Sequence, residues 1–174
     1  MKNRLFIFNL LCFMLVFFIP FSLSAQMIAL STEELTQLSE NVIVGKVETT
    51  VAQWSEDGKT IITRATIQIN DVIRGKLDMN KIIVEYPGGE IGDIGLKVSD
   101  VSSLKAGEEV ILFLIKKNEK DDSVFKIAGN AQGHYTIDKD GIARKGGFSV
   151  IGNKYIIDNN IPVNELVDKI RKIK

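Results

Sequence analysis

Residues 42–73 read VIVGKVETTVAQWSEDGKTIITRATIQINDVI. Val42 and Val44 alternate, then Val47, Thr49 and Val51, all branched side chains that favour a pleated strand. The alternation slips near Gly45, which predicts a bulge or tight bend there. Ser55-Glu56-Asp57-Gly58-Lys59 follows as a polar reversal, with Asp-Gly as its turn signal. Beyond it, Ala65, Ile67 and Ile69 face one way, while Arg64, Thr66, Gln68 and Asn70 face the other. The phase changes again across Asp71-Val72-Ile73. Two strands of about 12 residues each are long for a small domain. Long strands whose phase slips suit a small closed barrel, because one strand then serves both sides of the closure. A β-sandwich is the alternative reading.

The surroundings fit a barrel. Lys81 to Tyr86 reads as a third strand, stopped at Pro87-Gly88-Gly89, where a missing N–H and a freed backbone oppose a ladder. Glu90 to Val98 reads as an irregular arm or hairpin, and Val101 to Gly107 as a loop. Glu108 to Lys116 carries the continuous apolar run Val110 to Ile115, which predicts a strand buried on both faces. Phe125 to Ala128 and Gly133 to Ile137 read as strand segments around Gly129-Asn130. Asp138-Lys139-Asp140-Gly141 reverses the chain, and Ile142 to Val150 with Lys154 to Ile157 reads as a hairpin about Gly152-Asn153. At the N-terminal side, Leu30 to Ser39 predicts a short helix. Ser31 and Glu34 form its capping box, and Leu30 and Leu35 stand at the staple positions. From Pro162 to Ile173, Val163, Leu166, Val167, Ile170 and Ile173 follow the spacing of an amphipathic helix. The order is not βαβ, which excludes a doubly wound parallel sheet. The expected fold is mainly β: a small OB-like antiparallel barrel with a short N-terminal helix and a C-terminal amphipathic helix.

The first 25 residues carry a different signal. Lys2 and Arg4 precede an apolar run from Leu5 to Phe21, and Ser22-Leu23-Ser24-Ala25 supplies small residues for a cut after Ala25. An uncleaved anchor is the alternative, since the run of about 17 residues sits at the short limit for a membrane span. We therefore divide the chain into a signal peptide (1–25), a β-barrel domain (26–158) and a C-terminal helix (159–174) packed on or near the barrel. The expected location is periplasmic or extracellular, with membrane contact only through the signal segment during export. The single cysteine, Cys12, lies in that segment, so the exported part has no disulfide staple and must hold together by its core. Lysine and arginine together number 22 and acids 22. The charges are interspersed apart from a basic C-terminal tail, which leaves no electrostatic footprint for nucleic acid.

Several strings together resemble a family of small exported prokaryotic proteins without established activity. They are Ile43, Val44, Gly45 and Val47; Gly75; Pro87, Gly88 and Gly89; Gly107, Glu108, Val110, Leu112, Phe113 and Leu114; and Ala131, Gln132 and Gly133. The likeness covers residues 31–138, with Arg74-Gly75 where the family pattern has Lys-Gly. The order of elements is also similar to netrin-like and metalloproteinase-inhibitor barrels, which implies a secreted protease among the candidate partners. Those domains use an N-terminal cysteine against the target metal, and the exported part of this chain lacks one. Neither resemblance supplies catalytic residues.

Reactive groups are few. His134 is the only histidine, too few ligands for a zinc site, and its place in an alternating segment predicts a surface or rim position. Asp138-Lys139-Asp140-Gly141 opens like a calcium loop but lacks the later ligands. No metal, cofactor or catalytic residue is expected. Glu85, Glu90 and Asp93 gather around Pro87-Gly88-Gly89; held 5–9 Å apart, such acids serve glycoside hydrolysis. A secreted hydrolase with paired carboxylates is therefore one alternative function, and a structural envelope protein docking through its C-terminal helix is another. The leading expectation is a non-enzymatic binding or regulatory module for a protein partner or envelope component. Its candidate contacts are Trp54, an aromatic beside a polar loop, together with Arg64, Gln68, Tyr86 and Glu90 around the second and third barrel strands. By fold analogy those strands are the usual ligand face, and Glu85 belongs to it too.

Overall fold

The structure is a computed structural model and describes residues 27–118, 121–146 and 148–173. The expected signal peptide, residues 1–25, lies outside the described residues. The fold is mainly β, with one large mixed sheet and two helices.

Helix α1 (Thr32–Leu38) starts where the sequence requires. Ser31 Oγ accepts from Glu34 N at 3.2 Å, and Glu34 Oε2 accepts from Ser31 N at 2.8 Å. With only seven residues, α1 is too short to persist alone; Leu35 is buried and anchors it. The two long strands are β2 (Asn41–Trp54) and β3 (Ile61–Arg74), antiparallel along their whole length. Their register slips at Val42/Ile43, Val44/Gly45 and Val47/Thr49, so the predicted bulge at Gly45 is one of three. Strand β4 (Lys81–Pro87) pairs with β3. The arm then folds into a small hairpin, β5 (Gly89–Ile91) and β6 (Ile94–Leu96).

Strand β7 (Glu109–Lys116) pairs antiparallel with β2. Its apolar run divides by the period of two. Val110, Leu112 and Leu114 enter one core with Ile43, Val47, Ala65, Ile67, Ile82, Val84 and Phe125. Ile111 and Phe113 enter a second core with Leu35, Val42, Tyr135, Leu166 and Ile170. A run of six apolar residues is thus explained by burial on both faces. Strand β8 (Val124–Ile127) runs antiparallel to β7 and parallel to β4. On the other side of β7 lie β9 (His134–Ile137), β10 (Ile142–Arg144) and β12 (Ile161–Pro162).

The C-terminal helix, α2 (Val163–Lys172), covers the second core with Leu166, Val167 and Ile170. Its apolar face is therefore occupied by the chain's own sheet. Arg171 pairs with Asp71 at 2.7 Å, and Lys169 joins Asp158 and Glu33 at 2.7 and 3.2 Å.

One expected element is absent. Ile142 to Val150 does not form a hairpin with Lys154 to Ile157. Ile142–Arg144 pairs with β9, and Lys154–Ile156 is a 3₁₀ turn. Val150–Ile151, strand β11, pairs in parallel with Met27–Ile28, strand β1. The partner strand stands at the far end of the chain, so no local pattern announces it.

Candidate functional site

Two clefts flank the long strands. The larger, about 850 Å³, lies between the inner face of β2 (Thr50, Ala52), the hairpin arm (Gly88 to Glu90), the 96–105 segment, and His134, Thr136 and Arg144 on β9 and β10. The smaller, about 370 Å³, lies on the opposite face, bounded by Gln53, Ser55, Asp57, Arg64, Glu85, Lys117 and Asp121.

Alternation along a strand divides the predicted contacts between these clefts. Arg64 and Glu85 face each other in register across β3 and β4 and line the smaller cleft. Glu85 is buried and held by Lys117 Nζ at 2.5 Å and Arg64 Nε at 3.6 Å. Arg64 Nε is itself buried without a hydrogen-bond acceptor. Gln68 stands outside both clefts, its amide donating to Ile69 O at 3.3 Å.

Tyr86 was expected beside Arg64 on the ligand face. As the neighbour of Glu85 it must point the other way, and it is buried in the first core. Its hydroxyl accepts from Leu104 N at 3.1 Å and donates to Leu104 O at 3.3 Å, which pins the 96–105 segment to β4. Burial raises the phenol's pKa. Only one edge of Tyr86 reaches the larger cleft, at whose rim Glu90 is exposed. Trp54, 46 % exposed, ends β2 opposite Ile61 and lines neither cleft.

The three acids considered for hydrolysis do not converge. Glu85 belongs to the smaller cleft, Glu90 to the larger, and Asp93 is exposed at the β5–β6 turn. Among the described residues no cluster of three His, Cys, Asp or Glu stands ready to hold a metal. No helix among them is long and apolar enough to cross a membrane.

His134 departs from its expected rim position. It sits opposite Leu112 in the ladder, on the face that the 96–105 segment covers, and is only 6 % exposed. Ser102 Oγ lies 2.5 Å from its Nδ1, and Thr136 Oγ1 3.5 Å from its Nε2. Burial lowers its pKa to about 4, so the ring is neutral near pH 7. A neutral imidazole held between two hydroxyls ties the cleft wall to β9. Among the described residues the ring nitrogens meet only these hydroxyls and no carboxylate of the kind that orients a catalytic base.

Two further buried groups carried little sequence signal. Lys145 Nζ is buried without a hydrogen-bond partner, 4.3 Å above the Tyr135 ring. The ring favours the ammonium, but burial prevails and lowers the pKa to about 7. Gln132 bridges backbone groups, accepting from Leu30 N at 2.8 Å and donating to Ile28 O at 2.9 Å. The Gln132-Gly133 pair of the resemblance is therefore a structural clasp. A Cβ on Gly133 would come within 2.0 Å of Ala128 O, so a larger residue cannot stand there without moving backbone. Gly89 has a similar role: at φ +128 its missing Cβ lets the arm lie against Thr63 and Ala52.

No family model and no curated protein matches this chain.

Proposed function

We propose that this chain is an exported, non-enzymatic binding or regulatory module on a closed five-stranded barrel of the OB type, acting on a protein partner in the envelope or outside the cell. Support for the barrel comes from the pairing pattern. β2 bonds to β3, β3 to β4, β4 to β8, β8 to β7 and β7 back to β2. The parallel contact between β4 and β8 is what lets an otherwise antiparallel ribbon return on itself. The export reading rests on the basic and apolar first 25 residues, and on the resemblance to exported prokaryotic proteins.

The observation that carries the binding reading is the larger cleft. It is broad and open, walled by hydroxyls of Thr50, Ser99, Ser102 and Ser103, by backbone of the glycine arm, and by Val98 and Leu96. Such mixed walls suit recognition of a polar, irregular ligand surface. Trp54, exposed at the end of β2 and outside the cleft lining, is a separate candidate aromatic contact.

Two measurements test this. N-terminal sequencing of protein recovered outside the cytoplasm is expected to begin at Gln26; recovery only of uncut cytoplasmic chain would overturn export. The full chain immobilised against its own envelope extract is expected to retain a defined protein. The exposed pair Ser99→Trp with Ser103→Trp, which fills the cleft, is expected to release it. Retention of that protein by the filled-cleft variant would remove the cleft from the argument.

A further inference from the structure

We propose that Ile28, Ile151, Tyr155 and Ile156 form a lipid-contacting patch that seats the exported domain on the surface of the bilayer it has crossed. This rests on the export part of the proposed function. It extends membrane contact beyond the first 25 residues, to which the sequence alone confines it.

β1 and β11 pair in parallel, with Met27 opposite Val150 and Ile28 opposite Ile151. Alternation sends the two pairs to opposite faces. Met27 and Val150 are half-buried, while Ile28 is 77 % and Ile151 55 % exposed, side by side on the solvent face. Only Gly152 and Asn153 separate β11 from the 3₁₀ turn Lys154–Ile156. Asn153 Oδ1 accepts from Tyr155 N at 3.1 Å and fixes that turn, which leaves Tyr155 88 % and Ile156 37 % exposed. None of the four side chains lines either cleft. A cluster of exposed apolar side chains marks a surface for a protein or for a membrane.

Placement, charge and area select the membrane. The apolar run of the first 25 residues ends at Phe21, and Ile28 follows seven residues later, at most about 25 Å of extended chain. While that run engages the bilayer, the patch cannot stand further from lipid than this. Residues 22–32 and 141–157 contain no acid, so no carboxylate in either segment has to be desolvated. The nearest acids along the chain, Glu33 and Asp158, are both held by Lys169. Lys154 Nζ stands 5.7 Å from the centre of the Tyr155 ring. A tyrosine beside a lysine suits the membrane–water boundary, the ring at headgroup level and the ammonium reaching the phosphates. The four exposures amount to between two and three whole side chains, roughly 500 Å² at about 200 Å² each. A stable protein interface buries about 800 Å² on each partner, which makes a second copy the poorer fit; lipid accepts each side chain separately.

The test places the full chain in phosphatidylcholine vesicles and reads the patch itself, because residues 5–21 bind lipid whatever the patch does. With Trp54→Phe and Tyr155→Trp the one indole stands in the 3₁₀ turn. Brominated acyl chains are expected to quench it by half or more, and to leave Trp54 of the unaltered chain bright. This arm alters only two exposed positions, so it stands even where a harsher variant fails to fold. In a second arm, the processed chain recovered outside the cytoplasm is expected to sediment with the same vesicles. Ile28→Asp with Ile151→Asp is expected to weaken that binding about thirtyfold or more. An unquenched indole at position 155 in the vesicle-bound chain, or equal binding by the aspartate variant, would overturn the proposal. Dimers that form without lipid and vanish in the aspartate variant would overturn it in favour of a second copy. A processed chain that ignores vesicles defeats the seating and leaves export standing. An uncut chain whose position 155 is quenched defeats cleavage and supports the seating.

Discussion

Acid should loosen this protein through one residue. His134 is the sole histidine, and its ring is 6 % exposed behind the 96–105 segment. In the unfolded chain its pKa is near 6.5; burial lowers it to about 4 in the fold. The folded state thus favours the neutral ring, and the unfolded state binds more protons between those values. Stability is then fully present above the unfolded pKa and declines as pH falls through that window. At 1.36 kcal/mol per pKa unit the whole effect is roughly 3 kcal/mol, of which roughly 2 kcal/mol disappears between pH 6.5 and 4.5. That is a large share of a typical domain's 5–15 kcal/mol. Nothing else described titrates in that interval with a resolved shift. Lys145 is protonated in both states below about pH 7. The carboxylates with lowered pKa, Asp57, Asp121, Asp138 and Asp158 among them, lose their contribution only at and below the ordinary acid range. Urea unfolding at half-unit steps from pH 7 to 4.5 measures the slope. His134→Asn keeps a polar atom near the Nδ1 position opposite Ser102 but cannot charge. It should start less stable, because ring volume is lost, and then stay flat across the window. Parallel decline of both proteins, or an imidazole titrating near 6.5 by NMR in the folded chain, would refute the reasoning.

Other perturbations follow from the same packing. Lys145→Met removes a cation that burial disfavours; at pH 7 and below it should stabilise the fold by about 1–4 kcal/mol, read by denaturant titration. The gain should shrink as pH rises from 7 toward 10, where the lysine in the fold loses its proton. Gly133→Ala drives a Cβ into Ala128 O and should cost roughly 3 kcal/mol or more, seen as a lowered thermal midpoint. Gln132→Leu strands Leu30 N and Ile28 O. It should cost about 1–3 kcal/mol and speed amide exchange at Leu30 while leaving β7 protected. Phe113→Ala, emptying the second core between sheet and helix, should cost roughly 3–5 kcal/mol by the same denaturant measurement.

What could be read beforehand divides by range. The capping box at Ser31 and Glu34 and the bulge near Gly45 depend on neighbours a few residues away, and both are found. The run Val110 to Ile115 likewise states its own two-sided burial. Tyr86 was misplaced because chemical suitability was allowed to outweigh the period of two that already separated it from Glu85. His134 was misjudged for another reason: the 96–105 segment, distant in sequence, covers it through Ser102. The supposed hairpin at 142–157 failed because Ala143 and Arg144 fold straight back onto the neighbouring Ile137 and Thr136, while Val150 and Ile151 pair far along the chain with Met27 and Ile28. The cleft residues Ser99, Ser102 and Ser103 carry no periodic signal at all, since their placement follows from Leu104 docking on Tyr86.

The pairing of Met27–Ile28 with Val150–Ile151 bears on the order of assembly. A polypeptide made amino end first delivers its opening strand long before the segment that will hold it. Gln132, which clasps the same strand, also arrives late. Completion of this fold therefore waits for the tail, and the first strand stays without its partner until Val150 and Ile151 are free to meet it.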